Sequence, residues 1–263
     1  MCYQVYDRNP NEWKELCDYF VGQPHRINDR GSQVIKSLKD IGFDQYYQAE
    51  QTGWVLYLEG STDLAILTEF AKKLDHPVQE YLSRPFVYYI GNQISKAREH
   101  FHGLLEAKPD LVGIAIVDRT DMKMNSQPPL LEVMWGKREI ENYLCTEEVL
   151  IEYSRHGLTQ DLFGVHEMAT REQKMRESIA EIAQALETLN EPSPWSPDIK
   201  ASDQFLDRLF PRYFSKINLP NVMRKTDYHV LASLIDKKDI DPEVKEKLDL
   251  IWKVAQMAKP RTT

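Results

Sequence analysis

The stretch WVLYLEGSTDLAIL, residues 54–67, decides the fold. Apolar and aromatic residues run from Trp54 to Leu58, and Glu59 and Gly60 then interrupt the run. Gly60 permits a tight turn, and Ser61 is placed to cap a helix with Leu64, Leu67, Ala71 and Leu74 on one face. This reads as a strand, a turn and a helix. Two more apolar runs follow, PFVYYIG (85–91) and LVGIAIVD (111–118), with a helical pattern from Ile94 to Leu105 between them. LVGIAIVD is apolar almost throughout, as a central parallel strand must be. Leu130–Met134 is a fourth, shorter strand. The order β-α-β-α-β-loop-β predicts an α/β fold: a small parallel sheet with helices on both faces.

Around that centre the patterns are helical. Trp13, Leu16, Tyr19 and Phe20 have helical spacing, as do Val34, Ile35, Leu38 and Ile41. Residues 1–50 are therefore expected to be a helical lead-in or connector, and residues 51–150 the α/β domain. Beyond Asn142, Ile179, Ile182, Leu186 and Leu189 form a stripe, and NEPSPWSPD (190–198) is the best linker candidate. Phe205, Leu206, Leu209 and Phe210 begin another helix, and Asp241 with Pro242 starts the last one. Residues 151–263 are expected to be a helical region packed on the α/β domain.

The 263 residues carry 33 Lys plus Arg against 41 Asp plus Glu, a net charge of −8. A basic coat is excluded; a local nucleic-acid site is not. Cys2, Cys17 and Cys145 lie far apart and form no CxxC pair, which argues against a zinc site or a disulfide scaffold. No signal core and no run near the ~20 apolar residues of a membrane span occurs. The simplest expectation is a soluble cytoplasmic protein.

The acids fall where chemistry is expected. Glu59 ends the first strand and Asp63 lies four residues on; Asp118 ends the third strand with Asp121 in its loop; Glu139 and Glu141 follow the fourth. Ligands of open α/β sheets bind at the C-terminal ends of the strands. Carboxylates ending neighbouring strands repel one another unless a cation lies between them. Oxygen ligands suit Mg²⁺ or Mn²⁺, and two such ions would activate a water and stabilise the leaving oxygen of a phosphodiester.

These residues carry a family resemblance. LYLEGSTD, GIAIVDRTD and WGKREIENYL resemble the TOPRIM domain of the OLD (overcoming lysogenization defect) family nucleases, strongly over about residues 50–145 and more loosely beyond. The resemblance implies a TOPRIM-type fold with an α-helical C-terminal extension. It implies a DNA endonuclease or nickase that hydrolyses phosphodiesters with Mg²⁺ or Mn²⁺, in defence against phage or other foreign DNA. Glu59 resembles the TOPRIM glutamate, Asp63 the added helix-borne acid, and Asp118 the first Asp of the DxD motif. The second Asp would fall on Thr120, and Asp121 is the next acid. Glu139 and Glu141 resemble the acids of the family's REIEN segment. Which of them meets metal depends on the local structure, because they share a face of a strand but not of a helix. Lys225, beside Arg224, resembles a family lysine that stabilises charge on phosphate.

Arg119 and Arg138 stand beside Asp118 and Glu139, where each serves either substrate phosphate or the neighbouring acids. The expected catalytic set is Glu59, Lys225 and Arg138; the expected DNA contacts are Arg119, Arg224 and Lys225. No GxxxxGK[ST] motif occurs. OLD nucleases place TOPRIM after an ABC-type ATPase, so the resemblance implies an ATPase as a separate partner or as a part lying upstream. A homo-oligomer is also open. The alternative reading is a weak or inactive TOPRIM module that binds DNA or an ATPase without cutting.

Overall fold

The computed structural model describes residues 41–261, Gln160 excepted. In chain order the elements are α1 (Phe43–Thr52), β1 (Trp54–Leu58), α2 (Ser61–Leu74), α3 (Gln79–Ser83), β2 (Val87–Tyr89) and α4 (Ile94–Leu105). They continue with β3 (Val112–Val117), β4 (Leu130–Met134), α5 (Glu147–Arg155), α6 (Leu162–Thr188), α7 (Asp207–Lys216), α8 (His229–Leu234) and α9 (Pro242–Gln256). Short 3₁₀ turns cover Ile140–Tyr143 and Lys225–Asp227, and a π-helical turn covers Ala201–Leu206.

The four strands form one parallel sheet in the order β2-β1-β3-β4. Each strand runs the same way, so all four C-terminal ends lie along one edge. Tyr57 pairs with Ala115, and Val117 with Met134. The chain steps outward from β1 to β2, then crosses back over β1 to β3. The switch of direction therefore falls between β1 and β3, where an open α/β sheet leaves a crevice.

The central strands are buried on both faces, which explains their unbroken apolar runs. Side chains alternate between faces with period two. Trp54, Leu56, Leu58, Ile114 and Ile116 join a core with Ile66 and Phe70 of α2, Leu209 and Phe210 of α7, and Leu248 and Ile251 of α9. The helical extension and the sheet thus share one core. Val55, Tyr57, Ala115 and Val117 pack on the opposite face against Tyr46 and Ala49 of α1 and Phe101 and Leu104 of α4.

The stretch read as a connector contains α1. Its pattern FDQYYQAEQT buries only Tyr46 and Ala49, too weak a stripe to announce a helix. The rest of the expected lead-in, residues 1–40, lies outside the described residues. Ser61 does not cap α2: Gly60 occupies the cap position without a side-chain bond.

Edge strand β4 buries one charge. Glu132 is 1% exposed. Arg98 Nε and Nη2 each donate to its carboxylate at 2.7 Å, and the Asn125 amide donates at 2.8 Å. The Arg98 Nη2 also donates to the Lys123 carbonyl, so this pair ties α4 to the loop between β3 and β4. Among the described residues, no helix is long and apolar enough to cross a membrane.

Candidate functional site: an acidic edge

Glu59 and Asp118 leave β1 and β3 at the switch point, on neighbouring strands. The Glu59 side chain acts on Asp118 both through its charge and through a hydrogen bond, and both raise the Asp118 carboxyl. Burial first, then the charge of Glu59 and that hydrogen bond, push Asp118 up to about 9, with Glu139 and Asp63 adding to the effect. The Asp118 backbone N–H donates to Asn92 Oδ1 at 3.0 Å, which fixes the strand end from the turn after β2.

Asp63 sits in the first turn of α2 and folds back on the strand. Its Oδ2 accepts from the Glu59 backbone N–H at 3.1 Å. Burial and the nearby Glu59 push it up to about 7, against the lowering effect of these backbone donors.

The segment WGKREIENYL answers the question of Glu139 against Glu141. It is neither strand nor α-helix. Glu139 is the extended residue before a 3₁₀ turn and Glu141 lies inside the turn, and both are buried, 2% and 4% exposed. Both act on the same cluster: Glu139 on Asp118, and Glu139 with Asp63 on Glu141. Burial and those two charges push Glu141 up to about 8. Glu139 is raised too, chiefly by burial, and is eased by the Ser202 amide, which donates to its Oε1 at 2.5 Å.

Two neighbours clamp this segment. From α9, Glu243 accepts from the Gly136 amide at 2.8 Å and from the Tyr143 hydroxyl, and Lys247 pairs with it at 2.9 Å. From the proline-rich side, the Arg138 amide donates to the Pro197 carbonyl, and Asn142 Nδ2 donates to the carbonyls of Ser196 and Ile199. The segment read as a linker is thus one wall of the site. Trp195 also stacks edge-on against Phe205.

The C-terminal region delivers Lys225. Its Nζ donates to Ser202 Oγ at 3.1 Å and to Asp203 Oδ1 at 3.3 Å. Burial alone would lower its ammonium, but the fields of Glu141, Asp203 and Glu139 outweigh it and hold the group above the usual lysine value.

The remaining sequence-predicted residues lie around this cluster. Asp121 is exposed on the loop after β3. The principal influences on the four shifted acids do not include it. Arg119 donates to the Gly136 carbonyl at 3.1 Å and pairs with Asp198 at 2.5 Å, so its guanidinium is engaged within the fold. The side chains of Arg138 and Arg224 are exposed beside the site. Ser202, Asp203, Lys200 and Asn92 carry no motif in the sequence and are brought in by tertiary contacts alone. A cavity of about 790 Å³ lined by Tyr143, Thr146, Glu148, Asp236 and Asp239 lies nearby but includes none of the clustered acids.

The donor set is carboxylate oxygen, which suits Mg²⁺ or Mn²⁺. Among the described residues the thiol beside it, Cys145, is buried and pushed far above the thiolate range, so it is no soft ligand. Yet among the described residues no group of three or more His, Cys, Asp or Glu is arranged to hold a metal ion as it stands. Asp63 turns towards the Glu59 amide and Glu139 towards the Ser202 amide. The acids lie near enough to raise the proton affinity of Asp63, Asp118 and Glu141 without closing into a cage. Compared with protein-family models, curated proteins and solved structures, the chain matches none.

The raised carboxyls make a pH prediction. Asp63, Glu141 and Asp118 bind protons more tightly in the folded chain than at the unfolded value of about 4. Between about pH 4 and pH 9 these three groups therefore hold more protons in the folded state than in the unfolded one. Their stabilising contribution is full below the unfolded value and is lost as pH rises through 7, 8 and 9. Thermal unfolding followed by circular dichroism is expected to show Tm falling by several degrees from pH 5 to pH 9. A Tm that rises over this range would contradict the acid cluster.

Proposed function

We propose that the acidic edge takes Mg²⁺ or Mn²⁺ and engages the phosphodiester backbone of DNA, as in the TOPRIM nucleases that the sequence resembles. The observation that carries this reading is the convergence of Glu59 and Asp118 at the switch point of the sheet, near buried Glu139 and Glu141 and Lys225. Carboxylates gain little by crowding together, three of them buried, unless a cation is to be held. Glu59, Asp118, Glu139 and Glu141 would hold the ion, with Asp63 supporting Glu59. A bound divalent cation would supply a polarised phosphate and an acidified water. The chain's own residues would orient the phosphate, and Lys225 would offset charge growing on it. Exposed Arg138 and Arg224 would meet the flanking backbone.

In its full form this is a DNA endonuclease or nickase working beside an ABC-type ATPase, in defence against foreign DNA. The lack of a ready three-acid cage among the described residues favours a second reading for the chain by itself: a TOPRIM-like module, weak or inactive in cleavage, that binds DNA or an ATPase partner. Plasmid nicking separates the two. Supercoiled plasmid is incubated with the chain and Mg²⁺ or Mn²⁺, beside a Glu59→Ala control. Nicking by the wild type that the control lacks supports hydrolysis. DNA retention on a gel without nicking supports the binding module, and neither nicking nor retention removes DNA from the proposal.

A further inference from the structure

The contacts around Lys225 point to a device that the sequence does not announce. Its ammonium does not rest on the acids nearest the sheet edge. It donates to Ser202 Oγ at 3.1 Å and Asp203 Oδ1 at 3.3 Å. The Ser202 hydroxyl spends its proton on Asp203 Oδ1 at 3.1 Å, leaving its lone pairs to Lys225. The amide of the same serine donates to Glu139 Oε1. One residue, 0% exposed, therefore binds an acid of the cluster through its amide and the lysine through its hydroxyl.

Asp203 is fixed in turn by Lys200, whose Nζ pairs with its other oxygen at 2.7 Å. The turn starts with the Lys200 amide donating to Gln204 Oε1 at 2.7 Å. Both Ser202 and Asp203 lie in the π-helical turn Ala201–Leu206, a rare backbone form that recurs at functional sites.

We infer that Ser202 and Asp203 are positioning residues which hold the Lys225 ammonium beside the carboxylate cluster instead of inside it, leaving the cluster open to a divalent cation. The inference rests on the proposed cation site. Without the Asp203 charge, the anions whose fields act on Lys225 are Glu141 and Glu139. The ammonium then moves onto them and competes with the metal ion.

Calorimetric Mn²⁺ titration of the full chain tests this. Asp203→Asn is expected to weaken Mn²⁺ binding on the order of fivefold, the scale of a partly exposed ion pair. Asp203→Glu keeps the charge and is expected to keep the affinity. The double variant Asp203→Asn with Lys225→Met is expected to recover the wild-type affinity, because the competing ammonium is gone. Mere structural damage at Asp203 would leave the double variant as weak as the single one, and that result overturns the inference. An unchanged affinity in folded Asp203→Asn overturns it as well. A wild-type chain that binds no Mn²⁺ overturns the cation site itself, so the two failures are told apart by the first titration.

Discussion

Asp118→Asn is expected to remove Mn²⁺ binding by about a hundredfold or more, while the folded chain becomes no less stable. The two halves of this result come from one cause. Asp118 faces Glu59, Glu139 and Asp63, and all three charges act against its ionised form. Its neutral amide relieves that repulsion in the cation-free chain. The contact that places the strand end, Asp118 N–H to Asn92 Oδ1, uses the backbone and survives the change. The proposed cation, by contrast, would lose a carboxylate donor from the position between β1 and β3, and even supporting partners of metal ligands are worth about 10–100-fold. Calorimetric Mn²⁺ titration and thermal unfolding in the absence of metal check the two halves. Reduced stability with unchanged affinity would mean that Asp118 is structural.

Arg98→Ala is expected to cost about 3 kcal/mol of folding stability, the lower end of what breaking a buried pair costs, because Arg98 itself is partly exposed. The change strands the Glu132 carboxylate, 1% exposed, with one backbone donor from Asn125. It also frees the loop between β3 and β4 from α4. The companion variant Arg98→Met with Glu132→Gln removes the charge together with its partner, and is expected to regain a large part of the loss. Urea unfolding of the three proteins is the check. Equal destabilisation in the single and double variants would show that packing, not the stranded charge, sets the cost.

The strands and most helices could be read from the chain because their causes are local. Buried runs marked β1 and β3, and Leu130–Met134, Ile94–Leu105 and the helix opened by Asp241 and Pro242 lie where periodicity and capping place them. That Glu59 and Asp118 come to one edge was legible because strand ends in a parallel sheet share one edge. Other parts have no local cause. Glu139 and Glu141 both turn inward because a 3₁₀ turn follows an extended residue, which residue spacing alone does not show. Residues 190–198 look like a linker, yet they dock through backbone carbonyls, which every residue has. Ser202 reaches Glu139 across 63 positions and Lys225 across 23, distances that only the packing of the helical extension on the sheet can close.

The central claim is that this edge is a divalent-cation site, and an anomalous difference map from a crystal soaked in Mn²⁺ tests it most directly. The account predicts a peak among the carboxylates of Glu59, Asp118, Glu139 and Glu141, with Asp63 and Lys225 at its margin. A second peak about 3.5–4 Å from the first would support two-ion hydrolysis. A map with no peak at this edge, or with peaks only on exposed surface acids, would contradict it.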